Sequence, residues 1–288
     1  MRPLPSLMAI VTLTTVVACR SRVHDVSDAF RWQQELPAGS VLHLRTSTGK
    51  IEVAPTSGST ARVSGSKRWA GRKDPIHFAW TRNGNDVYLC AMTGSGGSCS
   101  ASYRPGRGEG HSFLDIFSLF KRRPTQVEAS LTVELPPDVM VEARAMNGDV
   151  SIHGARAGVA VHTLNGSIEI DGAAGPIEAH NVNGGIDVRV DSLGPNDAVA
   201  LETVNGGVSV SLPPSALGEV ELATVNGSVQ TDFPLTATGQ VSSRRIRGRI
   251  GNSSREIRLK TVNGEIELRK NSTQDGEPSA TGSGGSRP

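Results

Sequence analysis

The sequence predicts an all-β protein coiled as a β-solenoid, with about seven regular rungs behind an irregular N-terminal part. Three observations lead there. An Asn-Gly step recurs at Asn147-Gly148, Asn165-Gly166, Asn183-Gly184, Asn205-Gly206, Asn226-Gly227 and Asn263-Gly264, with Arg247-Gly248 filling the remaining place in the series. The successive spacings are 18, 18, 22, 21, 21 and 16 residues, about the length of one turn of a coil. Aliphatic residues also stand at fixed offsets on both sides of each step, with the alternation of β-strands.

Taken from the N-terminus, Arg2 precedes a short apolar stretch from Leu7 to Ala18 that ends at Cys19. Twelve residues are too few to span a bilayer comfortably, so residues 1–18 read as an export signal. Val16-Val17-Ala18-Cys19 resembles a bacterial lipobox, which implies a lipid anchor on Cys19; Arg20 after it favours the outer membrane. Residues 19–36 are then a lipid-anchored tether and a cap over the open end of the coil. The solenoid domain is expected over 37–270, beginning with an isolated copy around Thr48-Gly49 that carries Leu42, Leu44, Ile51 and Val53 in register. Strand-like runs at Thr60–Val63, Ile76–Trp80, Val87–Cys90 and Val127–Leu135 predict irregular rungs, with a turn at Asn83-Gly84.

Residues 91–126 read as an insertion loop. Cys90 and Cys99 flank a Gly/Ser stretch flexible enough to let them meet, and an oxidising compartment favours a disulfide over two free thiols. Two thiols without a nearby His or third Cys make a poor zinc site, so no metal is expected. The segment HSFLDIFSLF gathers Phe113, Phe117 and Phe120 in a chain with only 6 Phe, 3 Trp and 2 Tyr, and Lys121-Arg122-Arg123 follow. It reads as a lid on the solenoid, with contact to a membrane or partner as the alternative.

In the repeats, Val141, Val159, Ile177, Val199, Val220, Val241 and Ile257 stand six residues before the marker, and Ala143, Val161, Ala179, Leu201, Leu222, Ser243 and Leu259 four before. Three after it come Val150, Ile168, Ile186, Val208, Val229, Ile250 and Ile266. Met146, Leu164, Val182, Val204, Val225, Ile246 and Val262 immediately precede the marker. A two-residue hairpin at Asn-Gly would leave that last row outside a one-sided core. A bend at the marker would bring it inside with the others, and on this ground parallel coiling is expected over an antiparallel meander. Gly is suited to the bend, Asn tolerates a left-handed corner, and stacked Asn side chains can form an amide ladder. The tail 271–288 has nothing to bury and is expected to be disordered.

The rungs HTLNGSIEI, HNVNGGIDV, ETVNGGVSV, ATVNGSVQT and KTVNGEIEL resemble those of the bacterial "putative adhesin" β-helix family of unknown function. TSTGKIEV, QVEASLTVELPPDV and NGDVSI resemble the rest of its layout. The resemblance covers roughly residues 38–270 and implies a right-handed parallel β-helix in an exported or membrane-attached setting, with no established activity.

Chemical motifs are sparse. His162 above His180 suggests a metal pair or proton sensor, and Glu169 beside Asp187 a glycosidase-type carboxylate pair, although a solvated strand face explains both more cheaply. No nucleophile elbow, phosphate loop or metalloprotease motif occurs, and no cofactor is expected. A net charge of +2 without a basic, aromatic-studded face argues against nucleic acid. The sequence therefore predicts a non-catalytic envelope lipoprotein whose solenoid displays rows of side chains to an envelope protein or glycan. A β-helix polysaccharide lyase or glycoside hydrolase is the main rival, and an envelope-stress or signalling accessory the second.

Overall fold

The computed structural model describes residues 23–93, 98–103, 127–237 and 242–271. Cys19, the signal segment, Phe113, Phe117, Phe120, Val241 and the tail beyond Asn271 lie outside the described residues. Among the described residues every regular element is a strand, as the alternation predicts. The first seven are β1 (Val23–Glu35), β2 (Val41–Thr48), β3 (Ile51–Pro55), β4 (Thr60–Ala70), β5 (Ile76–Asn83), β6 (Asp86–Thr93) and β7 (Val127–Leu135). The repeats supply β8 (Met140–Asn147), β9 (Val150–His153), β10 (Val159–Asn165), β11 (Ile168–Ala174), β12 (Ile177–His180), β13 (Ile186–Ser192), β14 (Val199–Asn205) and β15 (Val208–Leu212). Last come β16 (Gly218–Asn226), β17 (Val229–Thr231), β18 (Thr236–Ala237), β19 (Arg245–Ile250), β20 (Glu256–Asn263) and β21 (Ile266–Lys270).

The strand before each Asn-Gly step and the strand after it belong to different sheets. Those before form an 11-stranded front sheet in the order β18-β19-β16-β20-β14-β12-β10-β8-β2-β6-β5. Those after form a 10-stranded back sheet, β1-β4-β7-β3-β9-β11-β13-β15-β21-β17. Pairing from rung to rung is parallel and in register, as in Val159↔Ile177 and Ile168↔Ile186. The antiparallel meander is thereby excluded. Between the sheets run the predicted rows: Val141, Ala143, Val161, Ala179, Leu201, Leu222 and Leu259 from the front, and Val150, Val208 and Ile266 from the back, all fully buried. Each large aliphatic of this column contributes roughly 1.5–3 kcal/mol.

One row was misassigned from the sequence. Leu164, Val204, Val225 and Val262 are 42, 39, 58 and 39% exposed, so the position before Asn faces water rather than the core. Strand alternation simply continues up to the corner, and the residue two before Asn turns inward: Thr163, Thr203, Thr224 and Thr261 are buried there, with Asn181 in the same place. Burial is compensated by a neighbouring corner for three of the threonines and for the Asn181 Nδ2 group, whereas Thr163 Oγ1 and Asn181 Oδ1 are buried without a hydrogen-bond partner among the described residues. Thr203, Thr224 and Thr261 donate Oγ1 to the carbonyls of Gly184, Gly264 and Gly206 at 3.1, 2.9 and 2.8 Å, and Asn181 Nδ2 reaches Gly166 O at 2.8 Å.

The corners also show why Asn-Gly is used. A Cβ on Gly184 would lie 2.1 Å from Gly166 O, and one on Gly206 2.0 Å from Gly184 O, so stacked corners approach too closely for any side chain. Gly148, Gly166, Gly184 and Gly264 also take positive φ, whereas among the described residues no non-glycine residue does. Asn is therefore not chosen for a left-handed conformation. Its side chains form the expected ladder: Asn165, Asn183, Asn205 and Asn263 donate Nδ2 to Asn147, Asn165, Asn183 and Asn205 at 2.7–2.8 Å, and Asn226 donates to Asn263 at 2.7 Å.

That ladder reveals an order the sequence did not predict. The last rung, β20–β21, lies between β14–β15 and β16–β17, not beyond them. The chain lays down β16–β17 one rung too far, turns back, and fills the gap. Arg247-Gly248, expected as a seventh rung, sits instead on β19, which pairs antiparallel to β16 and covers its open side. Arg245, Arg247 and Arg249 alternate outward on this strand, and the final edge is the short β18, both of which discourage further pairing.

The N-terminal end is closed in kind. β2–β3 stacks on β8–β9, while β6 and β7 lie outside it. Antiparallel β5, β4 and β1 finish the two sheets, with the β5–β6 turn at Gly84 (φ 62°) as expected. Phe30 stacks on Phe78 (centroids 5.3 Å) and Trp32 packs near Trp80 (6.1 Å), which brings β1 against β5 across the end of the coil. The Cys90–Cys99 disulfide is formed. It holds residues 98–103 over β2, where the buried Arg45 guanidinium donates to Ser100 O and Ala101 O at 3.0 and 3.1 Å.

Candidate interaction surface

The outer face of the front sheet carries three side-chain rows, one residue in two along each strand. The row nearest the corner is the aliphatic one. In spatial order it runs Met146, Leu164, Val182, Val204, Val262 and Val225, because the inserted last rung puts Val262 before Val225. At the rung spacing of about 4.8 Å it forms a ridge roughly 24 Å long. Its rigidity comes from beneath: the strands carrying Met146, Leu164, Val204, Val262 and Val225 are hydrogen-bonded on both sides and backed by the buried core, while Val182 lies just past the end of β12.

The middle row runs Arg144, His162, His180, Glu202, Lys260 and Ala223. His162 and His180 do stack, with centroids 5.2 Å apart and rings 10° from parallel. Burial, then the Arg144 charge, then His180 hold the His162 imidazole below its usual pKa. His180 is oriented by carboxylates, with Nε2 2.9 Å from Glu178 and Nδ1 3.7 Å from Glu202. Among the described residues no group of three or more His, Cys, Asp or Glu is placed to hold a metal. At the N-terminal side, His43 Nδ1 lies 2.8 Å from Glu142, and its ring stacks on Tyr88 at 4.2 Å. Hydrogen bonding from His43, reinforced by Arg144 against a burial penalty, holds the Glu142 carboxyl at about 2.

Toward the C-terminal end the ridge borders a cleft of about 670 Å³ lined by His180, Glu202, Val204, Glu221, Val225, Arg244, Arg245, Lys260 and Val262. Glu221 accepts hydrogen bonds from Arg245 (2.9 Å) and Arg247 (2.6 Å), and Arg258 and Lys260 stand 3.8 Å away. Those contacts hold its carboxyl at about 2, the Arg247 and Arg245 hydrogen bonds leading. Four cations on one carboxylate leave this end of the face positive. It is an apolar strip with a basic rim, suited to an acidic surface that carries aliphatic side chains.

The back sheet differs. A shallow concavity of about 510 Å³ is lined by Glu169, Asp187, Glu265 and Glu267 with Gly185, Gly207, Ser167 and Ser209. Glu169 and Asp187 are register partners, as the sequence suggested. Burial and the neighbouring Glu169 push the Asp187 carboxyl above its usual range. Sequence reasoning found this pair but missed the ridge, because it placed the ridge residues in the core; strict alternation from the buried Val and Leu positions was the signal.

Comparison with known proteins bears on the fold. No curated protein matches the chain. A crystal structure described as a "putative cell adhesion protein" of Clostridium sporogenes is similar with 12% identity, covering 84% of this chain and 99% of that one at a TM-score of 0.47. A "putative adhesin" of Bacteroides fragilis is similar with 10% identity, covering 84% of this chain and 96% of that one at a TM-score of 0.28. The family model described as Toastrack DUF4097 matches residues 138–269, from the start of β8 to the end of the inserted rung. Over residues 138–269, a little under half of its length, the chain is similar to the Toastrack DUF4097 family.

Proposed function

We propose that this protein is a non-catalytic, lipid-anchored scaffold of the bacterial cell envelope, a right-handed coil whose front face docks a partner protein. The exposed aliphatic ridge carries this reading. A row of large aliphatics left in water on consecutive rigid strands costs solubility, and such patches mark interaction sites. The anchor would be Cys19, four residues before β1, so the β1–β5 end would sit on the membrane and the basic cleft at the far end would project from it. Sheets of 10 and 11 strands give a height of roughly 45 Å. The setting is the outer membrane, by the lipobox and the residue after it.

The test is a photo-crosslinking amino acid placed at Val204 on the ridge and, separately, at Ser209 on the back sheet of the native anchored protein. A discrete adduct from position 204 alone, lost in a Val262→Asp background, supports the reading. Identical products from both faces, or no discrete adduct at 204, would overturn it. A second reading, glycan cleavage on the back sheet, is favoured by one observation, the raised Asp187 carboxyl among Glu169 and Glu267. Turnover of a glycan panel that is abolished by Asp187→Asn would establish it instead.

A further inference from the structure

The Asn-Gly ladder has a direction, and the direction leaves one step unprotected. At each corner the glycine N–H donates to the asparagine carbonyl of the next rung: Gly148 to Asn165 (2.8 Å), Gly166 to Asn183 (3.0 Å), Gly184 to Asn205 (2.9 Å), Gly206 to Asn263 (2.9 Å) and Gly264 to Asn226 (3.0 Å). Asn226-Gly227 is the last corner of the stack. Among the described residues nothing accepts the Gly227 N–H. The capping strand β19 follows β16 only as far as Ala223↔Arg245, and Thr224 N and Val229 N then bond to Arg244 O and Ser243 O. The cap therefore bridges past the corner itself. Asn226 and Gly227 are both exposed, and the Asn226 side chain is held from one side only, through its donation to Asn263.

We propose that Asn226 is the one stacked Asn-Gly corner open to spontaneous deamidation in the folded protein, and that stacking protects the other five corners; Asn83-Gly84, in the exposed β5–β6 turn, lies outside the stack and has no such protection. The nucleophile is the Gly227 backbone nitrogen after loss of its proton to water. It attacks Asn226 Cγ, an N–C bond forms, the bond from Cγ to Nδ2 breaks, and Nδ2 leaves with protons from solvent as ammonia. The resulting five-membered succinimide is opened by one water at either carbonyl, giving aspartate or isoaspartate at 226. One water is consumed and one ammonia released, with no change of oxidation state. At the five other corners the same nitrogen has its N–H committed to the neighbouring rung, and at Asn165, Asn183, Asn205 and Asn263 both ends of the side-chain amide are committed as well. Reaction there must wait for the stack to open. The product removes the Asn226 donor from Asn263 Oδ1 and puts a carboxylate in its place, and the isoaspartate form adds a carbon to the backbone of the terminal corner.

The experiment incubates the folded chain near neutral pH at 37 °C, with peptide mapping by mass spectrometry and enzymatic methyl labelling of isoaspartate. A parallel sample is kept unfolded in denaturant. In the folded sample the product at 226 should form at least about tenfold faster than at the other five stacked corners, since those need local opening first, while the exposed Asn83-Gly84 turn serves as an unstacked control. In the unfolded sample all seven Asn-Gly steps, Asn83-Gly84 included, should react at similar rates, because they share the same dipeptide. Asn226→Gln, whose longer side chain disfavours the five-membered ring, should remove the early label without moving it to Asn263, whose Gly264 N–H still has the backbone carbonyl of residue 226. The proposal is overturned if the folded chain labels its steps evenly, if an internal step reacts first, or if Asn226 survives while the unfolded chain reacts.

Discussion

The middle of the coil and its two ends are built by different rules. From β8 to β15 each rung lies on the one before it in sequence, and every contact is closed within about one repeat. At both ends the outermost regular strand is separated from its sequence neighbour by an inserted rung: β2–β3 lies inside β6 and β7, and β20–β21 lies inside β16–β17. Antiparallel strands then finish each sheet. A repeat can specify how to stack but not where to stop. Stopping here requires long-range pairing and residues that do not repeat, such as the arginines of β19 and the aromatic pairs of β1 and β5.

The contrast can be broken most forcefully at a stacked corner. Gly184→Ala should cost about 3 kcal/mol or more, because the new methyl meets the Gly166 carbonyl. Gly84→Ala, at a peripheral turn with nothing within 4 Å of the added carbon, should cost only the left-handed backbone penalty of roughly 1–2 kcal/mol. Denaturant midpoints of the two variants read the difference. In the column, Leu201→Ala should cost about 2–5 kcal/mol. Leu164→Ala, two strands away on the same sheet but facing water, should stay within about 0.5 kcal/mol while weakening the proposed partner capture. At the N-terminal end, replacing Cys90 and Cys99 by Ser should cost about 2–3 kcal/mol and release the loop from Arg45, seen as faster amide exchange across 98–103 with the middle rungs unchanged.

The smaller effects concern charge. Glu142 and Glu221 are both held at about 2 against an ordinary carboxyl value of 4.5, so their folded-state pKa is depressed. Their contribution is present in full above 4.5 and is lost as pH falls toward 2. Urea midpoints measured across that window should fall with acidity, and Glu142→Gln should make the fall shallower. Asp187 has the opposite sign: its carboxyl is raised, so ionisation opposes folding and stability gains on protonation. Asp187→Asn should leave stability at neutral pH unchanged or slightly higher.

Much of the fold was legible because core and spacing coincide. Val159, Ile177 and Val199, or Ile168, Ile186 and Val208, can be aligned by eye, and their burial follows from the alignment. The inward threonines were hidden for an energetic reason. Hydrophobicity ranks Val204 above Thr203 as a core residue, but the backbone sets the direction, and the hydroxyl is satisfied only by a carbonyl on another rung. Rung order was illegible because Asn205, Asn226 and Asn263 sit in equivalent motifs; which stacks on which is decided by loop geometry and by β19. The aliphatic ridge was present in the sequence as a row but assigned to the wrong side, and the convergence of Arg245, Arg247, Arg258 and Lys260 on Glu221 depends on that unpredicted order.

The ladder of committed amides bears on how the molecule can vary in size. Since only the terminal rungs carry stopping information, an internal turn such as 165–182 could be deleted or duplicated without disturbing either closure. Each such change would shift the distal cleft toward or away from the β1–β5 end by one strand spacing, about 4.8 Å. The distance between the two ends is thus adjustable in fixed increments, independently of the chemistry presented at the cleft.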